Sequence, residues 1–312
     1  MPAPVSVRRR LAPAAAAVLA LAVGIAVGAG PLSDVGTGTE QLAARTGGET
    51  ITDATARRAL DAGDELAVAA APGLYDDALA DTGVALVVMP GADPEVVDGL
   101  RRQADAAGAV VTATWEVGDA LLASGGTALV DSLGRRLLAQ QPNLPVDADA
   151  PAYERLGGLL GVAVASTRPT GQEPVPATRT VAESLRTADL VDGPTEPRRR
   201  APLVLVVLGS EPPADAELEA AGDAVASGLL SGLGERSVAT VVAGSTASGA
   251  EGSLQRLRAT GSAGDRGWSS VDGAERASGR VLAALALVQG VDGVAGDWGT
   301  SGADGALPRA PR

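Results

Sequence analysis

Between Leu11 and Leu32 the chain carries no charge, while Arg8, Arg9 and Arg10 precede this run and Asp34 lies just after it. A helix over the run spans about 30 Å, the thickness of a bilayer's hydrocarbon core. Pro13 falls in the first turn, where a missing N–H does no harm. The arginines precede the helix and acids dominate the segment after it. The positive-inside rule therefore keeps the amino terminus cytoplasmic and the remainder extracytoplasmic. A cleaved signal peptide competes with this reading, since Gly28-Ala29-Gly30 offers small residues at a cleavage point. The apolar run is long for that purpose and Pro31 would sit just after the cut, so the segment reads as an uncleaved anchor.

Beyond the anchor, residues 34–66 read as a stalk. Leu42, Ile51 and Leu60 do not sustain a heptad and Gly47-Gly48 interrupts any helix. Helical composition starts at Ala54, with Pro72-Gly73 as a break. The pattern then changes. Val84–Met89 is wholly apolar, as a strand buried on both faces must be, and Pro90-Gly91 ends it. Asp93-Pro94-Glu95 supplies a capping acid, a proline at the first helical position and an acid in the first turn. Val96, Val97, Leu100 and Ala104 form the apolar stripe of this helix, with Arg101, Arg102 and Asp105 toward water. Gly108 closes it before the strand Ala109–Trp115. The order predicts a right-handed parallel crossover.

Helices are predicted over Thr127–Ala139, Tyr153–Ala165 and Thr178–Leu190, followed by a Pro- and Arg-rich connection, 193–202, that could be a seam between halves. The α/β pattern then repeats: strand Leu203–Leu208, helix Asp215–Leu233, strand Ser237–Ala243, helix Glu251–Ala259, strand Trp268–Val271 and helix Gly273–Gly290. The Gly-rich tail after Val291 reads as irregular. The expectation is a cytoplasmic stub and anchor (1–33), the stalk (34–66) and an extracytoplasmic α/β domain (67–312). Its mainly parallel sheet would be flanked by helices in a Rossmann-like three-layer arrangement.

Composition narrows the chemistry. The formal charge is −13, and Phe, Cys and His are all absent. Every basic residue is arginine. Without a basic stripe or stacking aromatics there is no case for nucleic acid, and Arg198-Arg199-Arg200 reads as a solvated loop. The lack of His and Cys removes the usual general base, the common nucleophile pairings and the preferred soft-metal ligands. Met1 and Met89 are the two methionines, Met89 reading as core at a strand end. The turns at Pro90–Asp93 and Gly209-Ser210-Glu211 lack the G-x-G-x-x-G of a dinucleotide site. Gly299-Thr300-Ser301-Gly302-Ala303 falls one glycine short of a nucleophile elbow and has no His partner. Asp76-Asp77 reads as surface. The expectation is a protein that is not an enzyme, has no cofactor and shows no recognisable metal ligands. In the anchor, Gly24 and Gly28 form a G-x-x-x-G that could pack two helices in lipid.

Leu19–Gly28 running on to Leu32-Ser33-Asp34, then Val84–Thr114, Tyr153–Ala165, Ser270-Val271-Asp272 through Gly279-Arg280-Val281, Leu285-Ala286-Leu287 and Gly293–Gly299 come one after another in a recognisable order. This ordered set resembles the actinobacterial copper transport protein family of the MctB type. The resemblance implies a single-pass protein of the plasma membrane or outer cell envelope, connected with low intracellular copper as a pore or efflux component. It further implies the lipid bilayer and either further copies of the chain or other envelope proteins as partners. A single helix encloses nothing and a buried parallel sheet is no barrel, so any pore needs several copies or partners. The chain departs from the family in two places. The coiled coil that commonly comes after the anchor is cut down and broken at Gly47-Gly48, and near the carboxyl end Asp297, Trp298 and Asp304 stand where the better-known member has histidines. An anchored scaffold or interaction domain that moves no metal is the alternative function.

Overall fold

A computed structural model describes residues 53–123, 125–209 and 216–308. The anchor, including Gly24 and Gly28, and the stalk up to residue 52 lie outside the described residues. Among the described residues no helix is long and apolar enough to cross a membrane.

Seven strands form one sheet: β1 (Gly83–Val88), β2 (Val110–Val117), β3 (Val191–Asp192), β4 (Leu203–Val207), β5 (Ala239–Ala243), β6 (Ser269–Val271) and β7 (Asp297–Trp298). Their spatial order is β3-β2-β1-β4-β5-β6-β7. Every pairing is parallel except that of the edge strand β3 with β2. Helices α1 (Asp53–Tyr75), α2 (Pro94–Ala106) and α10 (Ala277–Val291) cover one face. On the other lie α3 (Gly126–Gln140), α4 (Ala152–Val164), α5 (Pro176–Thr187) and α6 (Ala216–Gly234). Among the described residues three short α-helices, α7 (Thr246–Ala250), α8 (Ser253–Arg258) and α9 (Ala263–Arg266), and a 3-10 turn at Asp119–Leu121 complete the fold.

The apolar runs are buried on both faces, as their lack of alternation requires. In β1, Val84 and Leu86 join the core under α1, α2 and α10, while Ala85 and Val87 join the core under α3–α6. In β4, Leu203, Leu205 and Val207 face the first core and Val204 and Val206 the second. The connection at 193–202 joins two halves of one continuous sheet, because β4 pairs directly with β1 from Val84↔Leu203 to Val88↔Val207.

The local signals at α2 behave as the sequence predicts. Asp93 caps it by accepting the Glu95 amide at 2.8 Å, and Val96, Val97, Leu100 and Ala104 are buried. Several other features differ from expectation. Pro72 does not break α1, which continues to Tyr75. Pro72 and Val68 are both exposed, so the carbonyl deprived of its partner faces water, while Ala71 and Tyr75 hold the last turn in the core. Arg101 is not wholly on the wet side, since its guanidinium donates to the Thr114 hydroxyl at 2.8 Å. The tail contains β7, and α7 precedes the predicted helix at 251–259. Helix α1 also reaches into the segment read as stalk. Its Asp61 and Asp64 carboxylates both pair with Arg276, at 3.0 and 2.9 Å.

The closest helix contact lies between α4 and α6. A Cβ on Gly232 would stand 2.1 Å from the Gly158 nitrogen, and one on Gly157 would stand 2.5 Å from the Gly228 carbonyl oxygen. Glycine on both helices lets backbone meet backbone.

Candidate functional site at the crossover of the sheet

The chain moves from β1 outward to β2 and β3, then returns to the other side of β1 with β4 and proceeds to β7. In such sheets the connections leave in opposite directions at this point, which opens a crevice beyond the carboxyl ends of the two strands. Here the strands end in Met89-Pro90-Gly91 and Leu208-Gly209. The turns touch: a Cβ on Gly209 would lie 2.6 Å from the Pro90 carbonyl oxygen. Along the sequence they are two separate turns, and nothing local to either shows that they meet.

Beyond them lies a cavity of about 500 Å³. Met89, Pro90, Leu122, Leu208, Leu218 and Ala226 give it apolar walls. Leu218, on the first turns of α6, is 39% exposed. One wall is ionic. Arg256 on α8 binds Glu219 at 2.6 Å and Asp223 at 2.5 Å, both on α6, and Glu251 stands nearby at the junction of α7 and α8. The Asp223 hydrogen bond holds the Arg256 guanidinium above its ordinary pKa.

Helix α8 is fixed from its other side by a second arginine. Arg258 donates to the Ser270 hydroxyl at 2.7 Å, the Asp272 carboxylate at 3.0 Å, the Ser301 hydroxyl at 2.9 Å and the Trp298 carbonyl at 2.9 Å. Asp272 is 1% exposed. Besides Arg258 it accepts the Thr300 amide at 2.7 Å and hydroxyl at 2.9 Å, and the Ser301 amide at 3.0 Å and hydroxyl at 2.7 Å. Burial pushes its carboxyl up, but the hydrogen bonds from Ser301 and Thr300 outweigh burial and hold it below the ordinary carboxylate range. Gly299 must be glycine here. Its φ is +117°, and a Cβ would lie 2.4 Å from an Asp272 carboxylate oxygen. The near-elbow Gly299–Ala303 is thus a carboxylate cradle, with Ser301 committed to Asp272 and Arg258.

The acids singled out near the carboxyl end have partners of the same kind. Asp297 accepts from Arg266 at 2.6 Å and from the Ser270 hydroxyl at 2.5 Å, while Asp304 accepts the Asp297 amide at 2.8 Å. The Arg266 guanidinium also lies 4.1 Å from the Trp268 ring centroid. Asp76 and Asp77 are exposed in the turn before β1, at the opposite edge of the sheet from the cavity. Arg198 and Arg199 are exposed, as expected, whereas Arg200 turns inward to the Val162 carbonyl at 3.0 Å. Among the described residues no group of three or more His, Cys, Asp or Glu could hold a metal ion.

The one sequence signal for the cavity is the pair of Gly-containing turns after all-apolar strands. Glu219, Asp223 and Arg256 carry none, because acids and arginines on helices ordinarily read as solvated faces. Comparison with curated proteins returns no match. A family model described as "Copper transport outer membrane protein, MctB" matches residues 5–308, nearly the whole chain. The ordered motifs, the mainly parallel three-layer domain and this match agree, and the chain belongs to the MctB family of copper transport outer membrane proteins.

Proposed function

We propose that the chain is an envelope-anchored copper transport protein, single-pass with its amino terminus cytoplasmic, that lowers intracellular copper as an efflux component and forms a pore only as an assembly of several copies or with other envelope proteins. The family match over residues 5–308 carries this reading. The domain serves the assembly without gripping the ion, because the sequence contains neither His nor Cys and carboxylates are hard ligands that suit Cu(I) poorly. It uses no cofactor and catalyses no reaction.

The direction of α1 supports a definite orientation. Arg276 comes after the carboxyl end of β6, so Asp61 and Asp64 lie level with the edge of the sheet that bears the cavity. The residues from Asp53 to Leu60 continue beyond it by about 12 Å at the helical rise. An anchor preceding them brings the cavity edge toward the bilayer. In lipid, Gly24 and Gly28 pack the anchors of neighbouring copies. The test is copper accumulation in a strain deleted for the gene, with and without re-expression of the full chain. Restored low copper supports the reading. Unchanged copper in both strains leaves the alternative, an anchored scaffold that moves no metal, which the absence of soft ligands favours.

A further inference from the structure

Among the described residues the crossover cavity is lined by three acids, half-buried Glu219 and Asp223 and exposed Glu251 at its rim, against the single guanidinium of Arg256. This is a formal surplus of two negative charges. Arg256 is already engaged by Glu219 and Asp223, so it has little to offer an incoming anion. Among the described residues Glu251 makes no ion pair. The remaining walls are largely apolar, and Leu218 among them is partly exposed. Phosphate ligands are disfavoured twice: the turns lack the glycine pattern that aims amides at a phosphate, and the acids repel it.

We propose that this cavity is a binding site for a small amphiphilic organic cation, its apolar body against Met89, Leu122, Leu208 and Leu218 and its ammonium group at the Glu219, Asp223 and Glu251 carboxylates. A volume of about 500 Å³ lies within the range of small-molecule sites, which combine apolar walls with a few placed polar groups. A cation at the carboxylates lowers the surplus negative charge along this wall. An uncharged ligand leaves that surplus, and an anion adds to it. The inference involves no copper, so its outcome is separate from that of the transport reading.

The experiment uses the full chain in nanodiscs of zwitterionic lipid, with empty nanodiscs as the control for partitioning. Three probes share one apolar body: 4-phenylbutylamine, 4-phenylbutanol and 4-phenylbutyrate. Isothermal titration should find the amine bound at least about tenfold tighter than the butyrate, a difference of about 1.4 kcal/mol. Its affinity should fall with added salt. Glu251→Gln should weaken the amine and leave the alcohol unchanged. Gly222→Leu should abolish binding of all three, because a Cβ there meets nothing nearer than Leu122 Cδ2 at 4.0 Å and the side chain grows into the cavity. Leu218→Trp, at an exposed position, is a second plug if the first variant does not fold. Butyrate bound as tightly as the amine, amine binding undiminished in both folded plug variants, or no binding of the amine at about 1 mM would each overturn the proposal.

Discussion

Two glycines of α6 provide a test of packing in which one substitution has opposite signs on the same helix. At Gly232 an added Cβ would fall 2.1 Å from the Gly158 nitrogen and 2.2 Å from the Gly157 carbonyl carbon. Both are backbone atoms, with no flexible tip that can yield. Restoring an ordinary 3.4 Å contact requires α4 and α6 to part by roughly 1.3 Å, which forfeits dispersion contacts along the seam. Overpacking of a tight core costs about 1–3 kcal/mol, and a backbone clash belongs at the upper end. Alanine returns about 1 kcal/mol of helix propensity, so Gly232→Ala should lose about 2 kcal/mol net. At Gly222 the added methyl has open space, so Gly222→Ala keeps the propensity gain of about 1 kcal/mol. For a domain of this size 1 kcal/mol moves the melting temperature by about 2–4 °C. Circular-dichroism melts of the full chain should show Gly232→Ala about 4–8 °C below the parent and Gly222→Ala about 2–4 °C above it. If Gly232→Ala melts at or above the parent, the two backbones do not touch and the α4–α6 packing described above is wrong.

Val206→Asp should cost several kcal/mol, since it places an unpaired carboxylate in the core between β4 and α3–α6, whereas Arg102→Asp at an exposed site of α2 should change stability by about 0.5 kcal/mol or less; thermal melts compare them. Asp272→Asn should cost about 3 kcal/mol at neutral pH by leaving Arg258 with only Asp297, 3.9 Å away, as a carboxylate partner. Because the folded Asp272 carboxyl holds its proton less tightly than the unfolded one, its stabilisation is in place above about pH 4 and is lost as pH falls through the lower folded value. The variant should therefore lack that part of the parent's acid destabilisation in melts taken below pH 4. For copper, titration of the purified chain against a Cu(I) chelator should show no site tighter than about micromolar, and a stoichiometric nanomolar complex would contradict the ligand argument.

The parts of the fold that sequence makes plain are those where one local rule dominates. All-apolar runs at Val84–Met89 and Leu203–Leu208 have no other stable place than the middle of a doubly covered sheet. The Asp93-Pro94-Glu95 start works through contacts within four residues. The concealed parts depend on partners distant along the chain. Strands β3 and β7 are two residues each and exist because β2 and β6 offer edges to pair with. Pro72 looks like a stop because the counterweight, packing of Ala71 and Tyr75, is tertiary. Gly157, Gly158 and Gly161 on α4 and Gly228 and Gly232 on α6 read as scattered small residues until the two helices cross. Asp272 gives no sign of its role, since its amide donors come from Thr300 and Ser301 and its arginine from α8.

The glycine seam between α4 and α6 has a mechanical consequence for the cavity. With backbone against backbone at Gly228 and Gly232, α6 cannot slide along α4 or roll upon it without a collision, and the wall bearing Leu218, Glu219 and Asp223 continues from that seam. The opposite wall, α7 and α8, is seated through side chains: Leu254 and Leu257 of α8 lie in the core and Arg258 reaches Asp272. Arg258 ties that helix to the Asp272 cradle, so its displacement would pull on the loop from Gly299 to Gly305. One wall of the cavity is thus set by a helix–helix seam, and the other is joined through Arg258 and Asp272 to the carboxyl-terminal loop.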